Sequence, residues 1–132
     1  MSATNYTESK VLDHIFGKSA YDMPTNYIGI GLIPTETGIY YEPPEEYNYA
    51  RVVMSSAHWS WAVGGQVTNI LGIVFPQAQG GDWGIITNWY IFDSGTYGVG
   101  NLLLYGGLDP EWDVHENDIP QFNAGEIGIT LS

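Results

Sequence analysis

The sequence predicts a mainly β fold: a single antiparallel β-sandwich, jelly-roll or Ig-like, preceded by a short N-terminal α-helix. Three observations point there. About seven β-prone runs recur at roughly 8–12-residue spacing with Gly and Pro between them, the rhythm of a sandwich or barrel. Within several of these runs apolar residues alternate with small or polar ones, the period of a half-buried strand. Strands and helices do not alternate along the chain, which argues against a parallel α/β sheet. The expected division is an arm and helix over residues 1–20, then the sandwich over residues 21–132.

The helix is read from residues 7–17, where Val11, Leu12, Ile15 and Phe16 share one face. Thr7 reads as its N-cap, Glu8 suits the positive end of the dipole, and Gly17 reads as the left-handed stop. A helix this short is marginal alone in water, so its apolar face must dock on the body or on another subunit. Deleting residues 1–17 is therefore expected to leave the sandwich folded and to abolish assembly.

The first strand spans residues 26–33, with Ile28, Ile30 and Leu32 on one face and Gly29 and Gly31 on the other. Those glycines imply a close backbone approach, or a helix packed across that face. Pro34 ends it. Residues 49–54 and 69–75 read as short strands, and residues 83–92 as the longest and most β-prone (Ile85, Ile86, Thr87, Trp89, Tyr90, Ile91, Phe92). Residues 101–105 follow a turn. Residues 119–122 and 126–131, joined across Asn123-Ala124-Gly125, read as the closing strands.

At 132 residues the chain fits one domain, and 44% hydrophobic with 14% aromatic content excludes intrinsic disorder. Fifteen acidic residues against three basic ones give a net charge of −12. Only Lys10, Lys18 and Arg51 could neutralise phosphates, so binding of nucleic acid or of an anionic membrane through a basic surface is excluded. With no cysteine there is no disulfide framework, thiolate metal site or cysteine nucleophile. The first ten residues lack the apolar core of a signal peptide, and cytoplasmic synthesis is expected.

Catalytic constellations are missing. Gly29-Ile30-Gly31 lies inside a strand with no helix after it, so it is no dinucleotide fingerprint, and no hydrolase or metalloprotease motif occurs. The three histidines, His14, His58 and His115, are not spaced to share a metal. Residues 109–118 gather five carboxylates and read as a solvated acidic loop; a Ca²⁺ site is the alternative. No catalytic residue, cofactor or metal is expected. Two groups suit binding. Ile39, Tyr40, Tyr41 and Tyr47, beside Pro43-Pro44, form a long loop of interface character, or else pack on their own sandwich. Trp59, Trp61 and Trp112 lie outside the best strands and raise a sugar-stacking alternative.

Taken in order, several stretches resemble a family of small tailed-bacteriophage virion proteins described as tail-fibre or head-decoration components. Residues 8–21, with Val11-Leu12-Asp13-His14-Ile15-Phe16-Gly17, are similar to its opening helix. Tyr27-Ile28-Gly29-Ile30-Gly31-Leu32, Tyr49-Ala50-Arg51-Val52 and Ile73-Val74-Phe75-Pro76 with Asp82-Trp83-Gly84 are similar to its strands. Tyr90-Ile91-Phe92-Asp93, residues 100–106 and Ala124-Gly125-Glu126-Ile127-Gly128-Ile129 are similar to its last ones. The acidic segments 42–46 and 109–118 depart from its pattern.

The resemblance implies a non-enzymatic virion structural role. The first expectation is a capsid decoration (cement) protein on the outer head surface, bound to the major capsid protein or other virion proteins and forming a homo-oligomer, trimer or dimer. The second is a tail, tail-fibre or baseplate component, and the third a carbohydrate-binding adhesion module. The arm and helix, through Val11, Leu12, Ile15 and Phe16, with residues 39–47, are expected to supply the contacts.

Overall fold

A computed structural model describes residues 1–22 and 24–131. In chain order it contains β1 (Ser2–Ala3), α1 (Asn5–Ile15), β2 (Asn26–Gly31), β3 (Val52–Met54), β4 (Gln66–Thr68), β5 (Ile73–Val74), β6 (Gly84–Phe92), β7 (Leu102–Val114), β8 (Gln121–Phe122) and β9 (Gly128–Thr130). The fold is mainly β, as the sequence predicts. A five-stranded antiparallel sheet in the order β1-β7-β6-β2-β3 forms one layer. Two short ribbons, β4–β9 and β5–β8, lie outside it.

The alternation of β2 and β6 decides what each sheet face buries. Ile28, Ile30, Trp89 and Ile91 join Leu103 in one cluster with Ile73, Phe75, Phe122 and Ile127 from in and beside the ribbons. The ribbons therefore form the second layer. On the other face Tyr90, Phe92 and Leu102 pack with Tyr27, Tyr40 and Tyr105. Gly29 and Gly31 serve a close approach, though no helix crosses them. A Cβ on Gly29 would lie 2.6 Å from the Tyr49 hydroxyl and 2.8 Å from the Phe92 ring. One on Gly31 would overlap the backbone carbonyl of Tyr41. The loop carrying Tyr40, Tyr41 and Glu42 lies directly on the strand.

Four local expectations change. Thr4, not Thr7, caps the helix, because β1 pairs with β7 and carries Thr4 to Leu103. The Thr4 hydroxyl accepts from the Thr7 N–H and donates to the Leu102 carbonyl at 2.6 Å, while the Thr7 hydroxyl donates to the Leu103 carbonyl at 2.8 Å. Residues 2–4 thus run along the sheet edge, and Thr7 fastens the first turn of α1 to it. Gly17 is the left-handed stop, at φ +72°.

The acidic stretch 109–118 is not a loop throughout. β7 runs on to Val114, with Trp112 opposite Ile86 and Gly107 opposite Asn88, so residues 108–111 form an excursion facing Thr87 alone. The turn itself begins at His115, whose N–H donates to Asp118 Oδ2 at 2.8 Å. Next, the expected strand 69–75 shrinks to Ile73–Val74. The buried Asn69 amide takes over the pairing: it donates to the carbonyls of Leu71 and Asn123 at 3.0 Å and accepts from Ile127 N–H at 2.9 Å. Finally, the closing strands do not pair with each other. β8 pairs with β5 and β9 with β4, stitching both ribbons to the middle of the chain.

Candidate functional site

Two features stand out: a buried ion pair that pins residues 40–42 and 94–99, and an apolar groove lined by other segments. The ion pair joins Arg51, just ahead of β3, to Glu42, with side chains 0% and 2% exposed. The guanidinium uses every edge. Nη2 donates to Glu42 Oε1 at 2.7 Å, Nε donates to Glu42 Oε2 at 3.1 Å, and Nη1 donates to the carbonyls of Ser94 and Val99 at 2.7 Å each. Its plane sits 3.5 Å from the centroid of the Phe92 ring. The Tyr49 hydroxyl donates to the same carboxylate. Desolvation, then the Glu42 charge, pushes the Tyr49 phenol well above its ordinary value. A single cation thereby ties residues 40–42 and 94–99 to the sheet, with every polar group satisfied.

Of the loop residues expected at an interface, Tyr40 and Tyr47 are half-buried within the chain. The Tyr40 ring meets Phe92 edge-on at 4.8 Å. Tyr47 packs its ring on Gly81, and its carbonyl accepts from the Trp83 indole at 2.8 Å. Ile39 and Tyr41 remain exposed.

The groove has a volume of about 650 Å³ and opens between the start of α1, Tyr21, Pro24 and Asn26, residues 56–61, and strands β4, β7 and β9. Tyr21, Trp59, Trp61, Val67, Leu103 and Ile129 are among its walls, and no Asp, Glu, Lys or Arg lines it. Trp61 is 92% exposed. The Trp59 indole N–H is buried and finds no acceptor within the described residues. At the rim, burial first, then Tyr6 and Asp93, raises the Tyr21 phenol. Beside the groove, only the first turns of α1 are tied down. Val11 is half-buried, whereas Leu12, Ile15 and Phe16 are exposed.

Trp112 does not share this groove. It stacks on Phe122 at 4.7 Å and lines a second, shallower concavity with Glu111, Asp113 and Asp118. His115 there lies 3.4 Å from Asp113, both largely exposed, a pairing worth little in water. His14 accepts from Tyr21 N–H, and His58 Nδ1 accepts from Ser55 N–H, both local backbone bonds. Among the described residues no group of three or more His, Asp or Glu is placed to hold a metal ion. Nor is any helix there long and apolar enough to cross a membrane.

Sequence reasoning singled out Trp59 and Trp61 but not the groove, whose other walls come from distant segments. It also missed the Glu42–Arg51 pair. The available signal was a charged residue set inside the β-prone run Tyr49-Ala50-Arg51-Val52-Val53.

No curated protein matches the chain. A family model described as "Podophage GP4 fiber I protein gp80" matches residues 2–130. That span takes in the helix, the whole five-stranded sheet and both ribbons, so the resemblance read from the ordered motifs holds over the length of the fold. The chain belongs to the podophage GP4 fiber I protein gp80 family and is a phage virion structural component.

Proposed function

We propose that this protein is a non-enzymatic subunit of a podophage tail fibre, held to its virion neighbours through the apolar Trp59–Trp61 groove and the adjoining helix. The observation that carries this reading is the fibre family match across residues 2–130. Head decoration fits the size and acidity of the chain equally well, but the family's description favours a fibre. A groove without a charged residue, on a chain of net charge −12, suits protein contact better than binding of a charged ligand. Trp59 and Trp61 share that groove while Trp112 lies apart, so the three indoles offer no single platform for a sugar. The partners are other virion proteins and further copies of the chain.

Fractionating purified virions into heads and tails tests the assignment. Recovery of the chain with tails, at low copy number, is the expected result. Recovery on heads at high copy number would replace it with the decoration reading.

A further inference from the structure

The charges of this chain are divided along its length. Lys10 and Lys18 offset Glu8 and Asp13, so residues 1–20 are neutral. The whole charge of −12 falls on residues 21–132, where Arg51 is the lone cation. Arg51 is buried against Glu42, which leaves Lys10 and Lys18 as the basic side chains open to a partner. Among the described residues neither lysine has a carboxylate within 4.0 Å. The same short segment carries an apolar ridge without a partner in its own fold: Leu12, Ile15 and Phe16 are 54%, 65% and 73% exposed. They lie at i, i+3 and i+4, the spacing with which an amphipathic helix enters a groove.

The groove is the complementary surface. Its walls carry no charge, and no Asp, Glu, Lys or Arg occurs between Arg51 and Asp82, the stretch that supplies Trp59, Trp61 and Val67. Asp22 follows Tyr21 in sequence, and Asp93 is close enough to Tyr21 to act on its phenol. A segment bearing the apolar ridge, with Lys10 on the helix and Lys18 just past its Gly17 stop, meets there an apolar floor with carboxylates beside it. Residues 1–20 bring no net charge to an already acidic body.

We propose that the Leu12, Ile15 and Phe16 ridge of one copy seats in the Trp59–Trp61 groove of a second copy. The inference rests on the groove being an assembly face, and it names the occupant. The pairing joins two different surfaces, so a reciprocal dimer and a closed trimer both satisfy it.

The test uses the full chain and two substitutions at exposed positions, Phe16→Ser and Trp61→Ser, with circular dichroism to confirm folding. By sedimentation, the wild-type chain is expected to self-associate at tens of micromolar. Each variant should weaken association by roughly 30-fold or more, the loss typical of a buried aromatic anchor. Mixing the two variants is the deciding arm. The Trp61→Ser chain keeps an intact ridge and the Phe16→Ser chain an intact groove, so the mixture should form one-to-one pairs that neither forms alone. A monomeric wild-type chain, or a mixture that stays monomeric, would overturn the pairing. In either case recovery of the chain in virion tails leaves the fibre reading standing, and its absence from virions removes that reading separately.

Discussion

Replacing Arg51 by Met keeps most of the side chain's length and removes its charge. The partner left behind is the Glu42 carboxylate, 2% exposed, with the Tyr49 hydroxyl as its remaining donor. Removing one partner of a buried pair costs about 3–5 kcal/mol, because the other charge stays desolvated and uncompensated. The carbonyls of Ser94 and Val99 also lose their donor, but both lie on a surface loop where water can replace it, so they add little. Against a total of about 5–15 kcal/mol for an ordinary domain, this is about a fifth of the stability or more. The melting temperature should fall by roughly 10–20 °C. The pair itself is a different quantity. In the double variant Arg51→Met with Glu42→Gln no buried charge remains, so most of the loss should return, to within about 1–2 kcal/mol of wild type. Urea unfolding followed by tryptophan fluorescence gives all four corners of the cycle. A single variant costing under about 1 kcal/mol, or singles that simply add in the double, would refute the account of Arg51 as the pin of the surface loops.

Two further outcomes follow from the same face of the sheet. Burial raises the phenols of Tyr49 and Tyr90, Tyr90 to about 12, while in the unfolded chain both ionise near their ordinary value of 10. The folded state therefore holds protons that the unfolded state releases. Stability is intact below pH 10 and is lost as pH rises from 10 through 12, by at most about 1.4 kcal/mol per pH unit for each phenol. Denaturant midpoints between pH 8 and 11.5 measure the slope; Tyr49→Phe should flatten it, and a level profile in the wild type would count against it. Separately, Gly31→Ala places a methyl group against the Tyr41 carbonyl and the Tyr90 hydroxyl, so the strap over β2 must lift. The expected loss is about 2 kcal/mol or more, with faster proteolytic cleavage within residues 36–48; an unchanged unfolding midpoint would show the strap to be loose already.

The parts of this fold that could be read in the sequence are those in which local pattern and packing agree. β2 and β6 read as strands because the β-branched and aromatic residues that favour a strand also fill both of their covered faces, against the ribbons on one side and the tyrosine strap on the other. The crowding at Gly29 and Gly31 was also legible, although a loop rather than a helix causes it. The second half of β7 was hidden because Asp109-Pro110-Glu111 carries turn chemistry, and the structure places it in an excursion that leaves the ladder and returns to it. The ribbons were misjudged where a side chain does the work of backbone, as the Asn69 amide does between residues 71, 123 and 127. The groove could not be read at all, since it exists only once residues 21, 24, 26, 56–61, 67, 103 and 129 have been brought together.

On the proposed self-pairing, an acidic subunit faces a specific constraint. At physiological ionic strength charges act over about 8 Å, so two bodies of net charge −12 repel wherever carboxylates come within that range. Contact is left to surface where they are absent. The chain has several stretches without net charge, among them the neutral segment 1–20 and the uncharged residues 52–81. They are distant in sequence, and nothing local brings them together. The pairing of β1 along β7, with the Thr4 and Thr7 hydroxyls fixed to the Leu102 and Leu103 carbonyls, sets the start of α1 on the same groove that Trp59 and Trp61 line. On the proposed pairing, the helix ridge beside that groove is the apolar element that can approach an identical, acidic neighbour without adding net charge.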